Sequence, residues 1–470
     1  MGQLVGTYEV LIQEYAERVG ELEKLNATLV ARIATLEERL AKNSRNSSIP
    51  PSADGLSKPV VPNRSQRRAQ GRRPGKQPGG EGKHLAQVSD PDEIVTHAPT
   101  ACTQCGENLA DADVVGVEVR QVFDLPRITA FVTEHHMERR RCACGCVAKA
   151  PAPKEATAPA CYGQGVRSLA VYLAVHQHLP YDRMAGLFND VLGIDISTGA
   201  LAQMVAEAGG ALGEFTATLA DLLCDAPVVH FDETGARVAG RLHWVHVASN
   251  ATTTLLDCYQ RRGKVAIEEM GVLSLMSGIA VHDGFAPYRS YEVIHALCNA
   301  HHLRELEGIA ACEGQQWADE MIGFLVETKT AVQVAKASGQ DHFDQETLTG
   351  IFERYRVLLD AGWMVNPRLG DLGGVHRTAA NLLLRLDSYR DDVLRFASDF
   401  GAPFDNNQAE RDIRMVKLQQ KISGTWRSFA GARNYCAIRS YISTMKKQDH
   451  NVLLGLRSLF EGHAWMPART

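Results

Sequence analysis

Three acidic residues stand in settings that suit metal-dependent phosphoryl transfer. Asp232 and Asp283 each follow a short apolar run, and Glu410 lies near the start of a predicted helix. Two acids at strand ends and one on a helix can converge on a pair of divalent cations, which stabilises the attacking and leaving oxygens of an in-line displacement. The sequence therefore predicts Asp232, Asp283 and Glu410 as catalytic residues that bind two Mg²⁺ ions.

Local context carries this prediction, because the chain contains 55 acidic residues and a pattern of three acids has no specificity of its own. Glu410 has basic neighbours, including Arg411, which suits a metal ligand next to a phosphate backbone. The alternative for each acid is a helix cap or a surface charge. Glu233, Asp405 and Asp412 are nearby acids that compete for the same roles.

A cysteine cluster lies upstream of these acids. Five of the eleven cysteines fall between residues 102 and 146, and an odd total argues against a disulfide framework. Cys102 and Cys105 form a C-x-x-C-G motif, and thiolates at such spacings bind zinc tetrahedrally. We expect Cys102, Cys105, Cys142 and Cys144 to hold one structural Zn²⁺, with Cys146 as the alternative to Cys144.

Two segments are strongly basic although the whole chain carries a net charge of −5. Residues 43–84 and residues 411–450 each have a net charge of +7. Such blocks indicate contacts with a polyanion, whereas the alternatives are a solvated tail and an ordinary charged helical face. The predicted DNA-binding residues are Arg67, Arg68, Arg72, Arg73 and Lys76 in the first block, and Arg411, Arg414 and Lys417 in the second.

A heptad pattern runs through residues 5–40, with apolar positions seven residues apart in two registers. β-Branched residues in the first register and leucines in the second favour a parallel dimer, and a polar Asn26 at one such position favours two strands in a fixed register. The alternatives are a higher oligomer and a single amphipathic helix packed on its own chain. We expect a homodimer or a higher homo-oligomer through this coiled coil.

The elements that must position the acids follow from hydrophobic periodicity. Residues 228–232, 241–248 and 253–259 are predicted strands, followed by a helix at about 263–276 and the strand that ends at Asp283. Antiparallel strands followed by alternating helix and strand suit a ribonuclease H-like core. Upstream, three helices are predicted over 166–178, 181–192 and 197–208. They form either a helix-turn-helix, with Ser197 as the cap of the recognition helix, or a plain bundle.

The predicted fold class is multidomain α+β, with a ribonuclease H-like α/β catalytic core. The predicted regions are a coiled coil at 1–42, a basic disordered arm at 43–89, a zinc module at 90–150, a helical domain at 161–225, the first part of the core at 226–312, a helical insertion at 313–400 and the completion of the core at 401–470. No run approaches the ~18 apolar residues of a membrane span. The start of the chain lacks the features of a signal peptide, so we expect a cytoplasmic, nucleoid-associated protein.

Four blocks of the sequence, in order, resemble the transposases of the insertion sequence 66 family. They are Phe231-Asp232-Glu233-Thr234 followed by His243-Trp244-Val245, then Val281–Tyr288, then Cys298–Leu306, then Asp405–Arg411. The coiled coil, the basic tract and the cysteine module also follow the order of that family. Three features depart from the family pattern: Phe285 replaces a Tyr, the second cysteine cluster is C-x-C-x-C, and the segment Trp426–Phe429 is unusual.

The resemblance implies a DDE transposase in which Mg²⁺ activates water to cut the end of a mobile element. The freed 3′-hydroxyl then attacks target DNA. It also implies double-stranded DNA, at the element ends and at the target, as a partner, and leaves open whether accessory proteins of the same element take part. For His301 and His302 the resemblance implies a contact near the active site, whereas a satisfied structural histidine is the alternative for each. Two rival functions are a structure-specific ribonuclease H-like nuclease and a non-catalytic, zinc-dependent DNA-binding protein.

Overall fold

The computed structural model describes residues 18–33 except 27 and 31, residues 85–366 except 127, and residues 377–468. The chain divides into two compact units, residues 56–130 and residues 1–55 together with 131–470. The predicted basic arm, with Arg67, Arg68, Arg72, Arg73 and Lys76, lies outside the described residues. Its role in DNA binding stays a prediction.

The N-terminal heptad region is described only in part. Residues 18–26, 28–30 and 32–33 are helical, as the heptad pattern predicts. The apolar side chains of Val19, Leu22, Leu29 and Ile33 are at least half exposed on the single chain. A helix that exposes its apolar stripe is compatible with a partner helix, and the coiled-coil pairing itself stays a prediction.

Two tight turns hold the cysteine motifs, one in each unit. In the smaller unit, the Gly106 N–H donates to the Cys102 carbonyl at 2.9 Å, and a single bridge pairs Ala101 with Asn108. In the larger unit, β1 (Arg139–Arg141) and β2 (Val147–Lys149) form an antiparallel hairpin whose turn contains the C-x-C-x-C motif.

Four helices precede the central sheet: α1 (Gln164–Val171), α2 (Tyr181–Leu192), α3 (Thr198–Gly210) and α4 (Gly213–Cys224). The predicted helix at 166–178 is α1 followed by a π-helical turn, Tyr172–His176. The prediction of α2 at residues 181–192 is confirmed, and Gly193 ends it in the left-handed conformation at φ +66°. Ser197 caps α3 by accepting a hydrogen bond from the Ala200 N–H at 3.1 Å, as predicted.

A five-stranded sheet forms the centre of the larger unit. Its strands are β3 (Val228–Val238), β4 (Arg241–Ser249), β5 (Thr254–Tyr259), β6 (Ile279–His282) and β7 (Ile294–Leu297), in the spatial order β5-β4-β3-β6-β7. The strand β4 pairs antiparallel with both β3 and β5, whereas β3–β6 and β6–β7 are parallel pairs. The acids of interest lie around the central pair, β3 and β6.

Two predicted boundaries near the acids are wrong. Asp232 does not end a strand, because β3 continues for six residues and pairs with β4 as far as Val238. Phe231 and Glu233 are both buried on the inner face of β3, where an ion-paired glutamate takes the place of an apolar residue. The apolar pattern therefore ends before the strand does. The helix predicted at 263–276 is α5 (Lys264–Met270), which stops where Gly271 adopts a left-handed φ of +74°.

Helices make up the rest of the larger unit. They are α6 (Asn299–Glu313), α7 (Gln316–Ala337), α8 (Gln345–Val365), α9 (Arg377–Ser388), α10 (Arg390–Val393), α11 (Arg395–Ser398), α12 (Asn407–Ser423), α13 (Phe429–Lys447) and α14 (Val452–Phe460). Helices α6 to α11 bury their own apolar cluster, around Phe324 and Leu383. Helices α12 to α14 share a second core with α1–α4 and the sheet. Within the described residues, no helix is long and apolar enough to cross a membrane.

Candidate active site

The parallel pairing of β3 with β6 aligns two of the predicted acids. His230 is paired with Val281, so Asp232 and Asp283 each lie two residues beyond the same rung of the ladder. Neighbouring strands are about 4.8 Å apart, which brings the two positions close together. Asp283 lies just past β6, where its Oδ1 accepts a hydrogen bond from the Phe285 N–H at 2.9 Å. Gly284, at φ +93°, allows the sharp turn that follows.

The third acid reaches the same place through the start of α12, where Asn406 precedes the helix. The Asn406 side-chain amide donates to the Phe231 carbonyl at 2.8 Å, and its oxygen lies 3.0 Å from the His230 Nδ1. These contacts fix the first turn of α12 against β3 beside Asp232. Glu410, one turn into the helix, therefore lies where its charge acts on Asp232.

The charges of the other two acids act on Asp232, although the oxygens of the three carboxylates do not all lie within 4.8 Å of one another. Burial raises the pKa of Asp232 well above its ordinary value, and the negative charges of Glu233, Asp283 and Glu410 raise it further. The Glu410 Oε1 is buried and has no hydrogen-bond partner. Clustered carboxylates with an unsatisfied buried oxygen fit hard divalent cations such as Mg²⁺, which bind oxygen ligands and offset mutual repulsion.

The neighbouring acids are already engaged elsewhere. The Glu233 carboxylate contacts the Arg262 guanidinium at 2.6 Å and accepts a hydrogen bond from the Tyr288 hydroxyl at 2.6 Å. Asp412 contacts the Lys447 ammonium at 2.8 Å. Asp405 lies within 3.9 Å of a lysine ammonium and accepts a hydrogen bond from the Asn407 N–H at 3.2 Å. Glu233 and Asp412 therefore have hydrogen-bonded basic partners, whereas the Glu410 Oε1 has no hydrogen-bond partner.

Helix α6 adds a second set of polar groups beside Glu410. The His301 Nδ1 lies 3.7 Å and an Arg304 guanidinium nitrogen 3.6 Å from the Glu410 Oε1. His302 has a structural contact instead, because it is buried and its Nδ1 lies 3.0 Å from the Asn299 Oδ1. The two histidines therefore differ, with His301 beside the acids and His302 in the interior.

Two further residues of this region were missed by sequence reasoning. Arg262 holds Glu233, and its guanidinium also lies over the Trp244 and Phe285 rings, 4.8 and 4.0 Å from their centroids. Nothing in the spacing of the sequence pairs Arg262 with Glu233. Asn406 does stand in the fourth resemblance block, and its position directly before the predicted helix is a signal that could have identified it.

The predicted basic residues of α12 differ in exposure. Arg411 and Arg414 are exposed, and Arg411 donates to the Gln408 side-chain oxygen at 2.8 Å. The Lys417 ammonium instead donates to the Gly235 carbonyl of β3 at 2.5 Å, and burial lowers its pKa. Lys417 thus supports the fold, while the DNA contacts of all three residues stay predictions.

The two cysteine motifs each favour a thiolate. Backbone N–H groups, that of Cys105 above all, lower the pKa of Cys102. In the other unit, the Cys146 N–H is the main cause of the lowered pKa of Cys144. Thiolates are the form that binds metal ions. The separate geometries of the two motifs do not test whether they share one zinc ion. The assignment of Cys102, Cys105, Cys142 and Cys144 as its ligands stays a prediction.

Comparisons with known proteins establish the class of this chain. Residues 160–434 match the model of the transposase IS66 family, and residues 99–145 match the zinc-finger binding domain of transposase IS66. A third match, over residues 7–86, is to a family of unknown function (DUF6444). No curated protein matches the chain. Since the first match covers more than half of the chain, the protein belongs to the IS66 family of transposases.

Proposed function

We propose that this transposase is a DDE enzyme that cuts the ends of an insertion sequence and joins them to target DNA by two-metal phosphoryl transfer. The observation that supports the proposal is the placement of Asp232 on β3, Asp283 just after the parallel strand β6 and Glu410 on the helix packed against β3, where burial raises the pKa of Asp232 and the charges of Glu233, Asp283 and Glu410 raise it further. The nearby acids Glu233 and Asp412 are in direct contact with basic partners at 2.6 and 2.8 Å, whereas the Arg304 guanidinium lies 3.6 Å from the Glu410 Oε1.

The sheet supports a ribonuclease H-like core for this enzyme. Three consecutive strands form the antiparallel part, and two further strands add in parallel on the other side of β3. Asp232 then lies on the central strand, Asp283 after the adjacent parallel strand, and Glu410 on a helix packed against the same strand. Helices α7 to α11, between the second and third acids, form the insertion.

The proposed chemistry consists of two displacements at phosphorus. In the first, a water oxygen bonds to phosphorus and the 3′-oxygen of the element end leaves with a proton. In the second, that 3′-hydroxyl bonds to a phosphorus of target DNA, and the 3′-oxygen of the target leaves. When bound, two Mg²⁺ ions would stabilise the charge on the attacking and leaving oxygens in both displacements.

The residues of this chain have distinct parts in the proposal. Asp232, Asp283 and Glu410 would hold the ions. Asn406 positions Glu410 by its hydrogen bond to the Phe231 carbonyl. Arg262 neutralises Glu233, which otherwise adds a fourth negative charge beside Asp232. Arg304, with its guanidinium near the Glu410 Oε1, can reach a DNA phosphate close to the acids.

Recognition of DNA completes the proposal. A transposase with a zinc-finger domain is expected to bind DNA, here the element ends and the target. The exposed Arg411 and Arg414, next to the acids on α12, would contact phosphates in a sequence-independent manner. The basic arm would add affinity, and pairing of the N-terminal helices would bring two subunits to the two ends of an element.

The experiment that tests this function incubates the full chain with duplexes carrying the ends of its element and with a plasmid target, in Mg²⁺. Joined products are then sequenced. We expect element ends covalently linked to target DNA through their 3′-oxygens. Cleaved but never joined ends would favour the structure-specific nuclease, and tight binding without cleavage would favour the non-catalytic DNA-binding protein.

A further inference from the structure

Cys298, His301 and Glu410 form a cluster of potential metal ligands at the edge of the proposed active site. Among the described residues, it is the group of cysteine, histidine and acidic side chains whose ligand atoms all lie within 4.8 Å of one another. Cys298 directly precedes α6, and His301 lies within the first turn of that helix. Glu410 enters from α12, so two separate elements build the cluster.

Two of the three ligand atoms are unsatisfied without a cation. The His301 Nδ1 and the Glu410 Oε1 are both buried without a hydrogen-bond partner, and they lie 3.7 Å apart. Leaving such atoms buried costs free energy that a shared cation would recover. The Arg304 guanidinium lies 3.6 Å from the Glu410 Oε1 and would have to move aside when a cation binds.

The third ligand atom, the Cys298 sulfur, already accepts a backbone hydrogen bond of the kind that supports a metal-bound thiolate. Its Sγ accepts a hydrogen bond from the Asn406 N–H at 3.1 Å. Burial raises the pKa of the Cys298 thiol to about 12, so the free protein keeps the proton on sulfur. Metal binding therefore has to release that proton.

We propose that Cys298, His301 and Glu410 bind a divalent cation of intermediate softness, such as Zn²⁺ or Co²⁺, in addition to the two Mg²⁺ ions of the proposed reaction. Thiolate and imidazole ligands select such cations over Mg²⁺, which prefers oxygen. Three protein ligands leave a fourth tetrahedral position for water or a phosphate oxygen. This consequence rests on the proposed function: the shared Glu410 makes the cation an inhibitor of the Mg²⁺-dependent reaction, because the cation takes a carboxylate from the catalytic site.

Cobalt binding to the full chain tests the site without any enzymatic activity. Co²⁺ is titrated into metal-stripped protein, and the thiolate-to-cobalt charge-transfer absorption is followed. We expect the wild type to bind one more thiolate-liganded Co²⁺ than Cys298→Ser, because serine keeps an acceptor for the Asn406 N–H but is a poor ligand. His301→Gln should weaken the same equivalent by about tenfold or more, as loss of a ligand or its support does.

The matched control is Cys258→Ser, which removes another buried thiol, on β5, that is not part of the cluster. It should bind as much Co²⁺ as the wild type. Thermal unfolding of each variant confirms that the compared proteins are folded. Equal cobalt stoichiometry in the wild type, folded Cys298→Ser and His301→Gln would overturn the site.

Zinc inhibition tests the consequence for catalysis. In Mg²⁺, added Zn²⁺ should inhibit cleavage by the wild type, and Cys298→Ser should need about tenfold more Zn²⁺ for the same fractional loss. Equal zinc sensitivity would overturn the inhibitory role. If the wild type binds cobalt at Cys298 but never cleaves DNA, the proposed function fails and the metal site stands. If it cleaves DNA but lacks the extra cobalt, only the metal site fails.

Discussion

Two acids on helix α12, Glu410 and Asp412, lie in opposite environments although only one residue separates them. Residues two apart on a helix point about 200° from each other. Asp412 accepts hydrogen bonds from the Lys447 ammonium at 2.8 Å, the Gln408 amide at 3.0 Å and the Thr254 hydroxyl at 3.1 Å. The Glu410 Oε1 is buried with no hydrogen-bond partner.

The difference separates an acid that holds the fold together from an acid that is available for chemistry. A buried carboxylate with a full set of partners stabilises the packing of α12 against β5 and α13. A buried carboxylate oxygen without a hydrogen bond, such as the Glu410 Oε1 with the Arg304 guanidinium 3.6 Å away, costs free energy unless a ligand recovers it. The same contrast holds on β3, where Glu233 has Arg262 and Tyr288 while the adjacent Asp232 faces other carboxylates.

The largest expected effect is on activity. Asp232→Ala, Asp283→Ala and Glu410→Ala should each reduce cleavage and joining by roughly 10³-fold or more, as expected when preorganised electrostatic stabilisation of a transition state is lost. Affinity for end DNA should change little, because these groups act mainly in the transition state. Rates are measured on end duplexes in Mg²⁺, and affinity is measured by titration without it. If all three variants joined DNA as fast as the wild type, the hypothesis of a DDE enzyme would be wrong.

The reciprocal effect is on stability. Asp412→Ala leaves the Lys447 ammonium buried without its ion-pair partner, which should lower the free energy of unfolding by about 3 kcal/mol. Glu410→Ala should lower it by less than about 1 kcal/mol or raise it, because it removes an unsatisfied oxygen. Urea unfolding of the two variants side by side measures this. Equal destabilisation would break the contrast between the two acids.

Acid should weaken the fold through a histidine next to the Glu233 network. His246 pairs with Glu233 across β3 and β4, and burial lowers its pKa from 6.5 to about 4. In the unfolded chain His246 therefore binds a proton below about pH 6.5, whereas in the folded chain it binds one only below about pH 4. Unfolding free energy should fall as pH drops through this window, by at most about 3 kcal/mol from this group.

The matched variant is His246→Gln, which cannot take up that proton. Its unfolding free energy should fall less steeply than that of the wild type between pH 6.5 and 4, as followed by urea unfolding at each pH. Identical slopes in the two proteins would mean that another group causes the acid sensitivity.

The hydrogen bond from Thr254 to Asp412 should make a smaller contribution to stability than the ion pair with Lys447. Thr254→Val removes the hydroxyl that donates to the Asp412 Oδ2 but keeps the shape of the side chain. We expect a loss of about 1 kcal/mol in unfolding free energy. Joining activity, measured with saturating DNA at a temperature where both proteins are folded, should be unchanged. A loss of activity with unchanged stability would place Asp412 in the catalytic site after all.

Local patterns in the sequence predicted much of the framework, and long-range pairings lay beyond them. Apolar periodicity located α2, and a serine before an apolar run located the cap of α3. The predicted end of β3 was wrong because the next residue on the inner face is a buried glutamate, Glu233. Its partner Arg262 lies 29 residues away in the sequence. The partner of Asp412 lies 35 residues further along the chain. Spacing alone carries no information on such pairs.

Metal-specific rescue of Asp283 is a direct test of metal binding by Asp232, Asp283 and Glu410. Asp283→Cys replaces an oxygen ligand with sulfur, which Mg²⁺ coordinates poorly and Mn²⁺ or another softer ion accepts more readily. Joining of end DNA is compared in Mg²⁺ and in Mn²⁺ for the wild type, Asp283→Cys and Asp283→Ala. We predict that Asp283→Cys is inactive in Mg²⁺ and regains joining in Mn²⁺, whereas Asp283→Ala is inactive in both. Equal activity of Asp283→Cys in the two metals, or rescue of Asp283→Ala, would contradict a metal-binding role for this carboxylate.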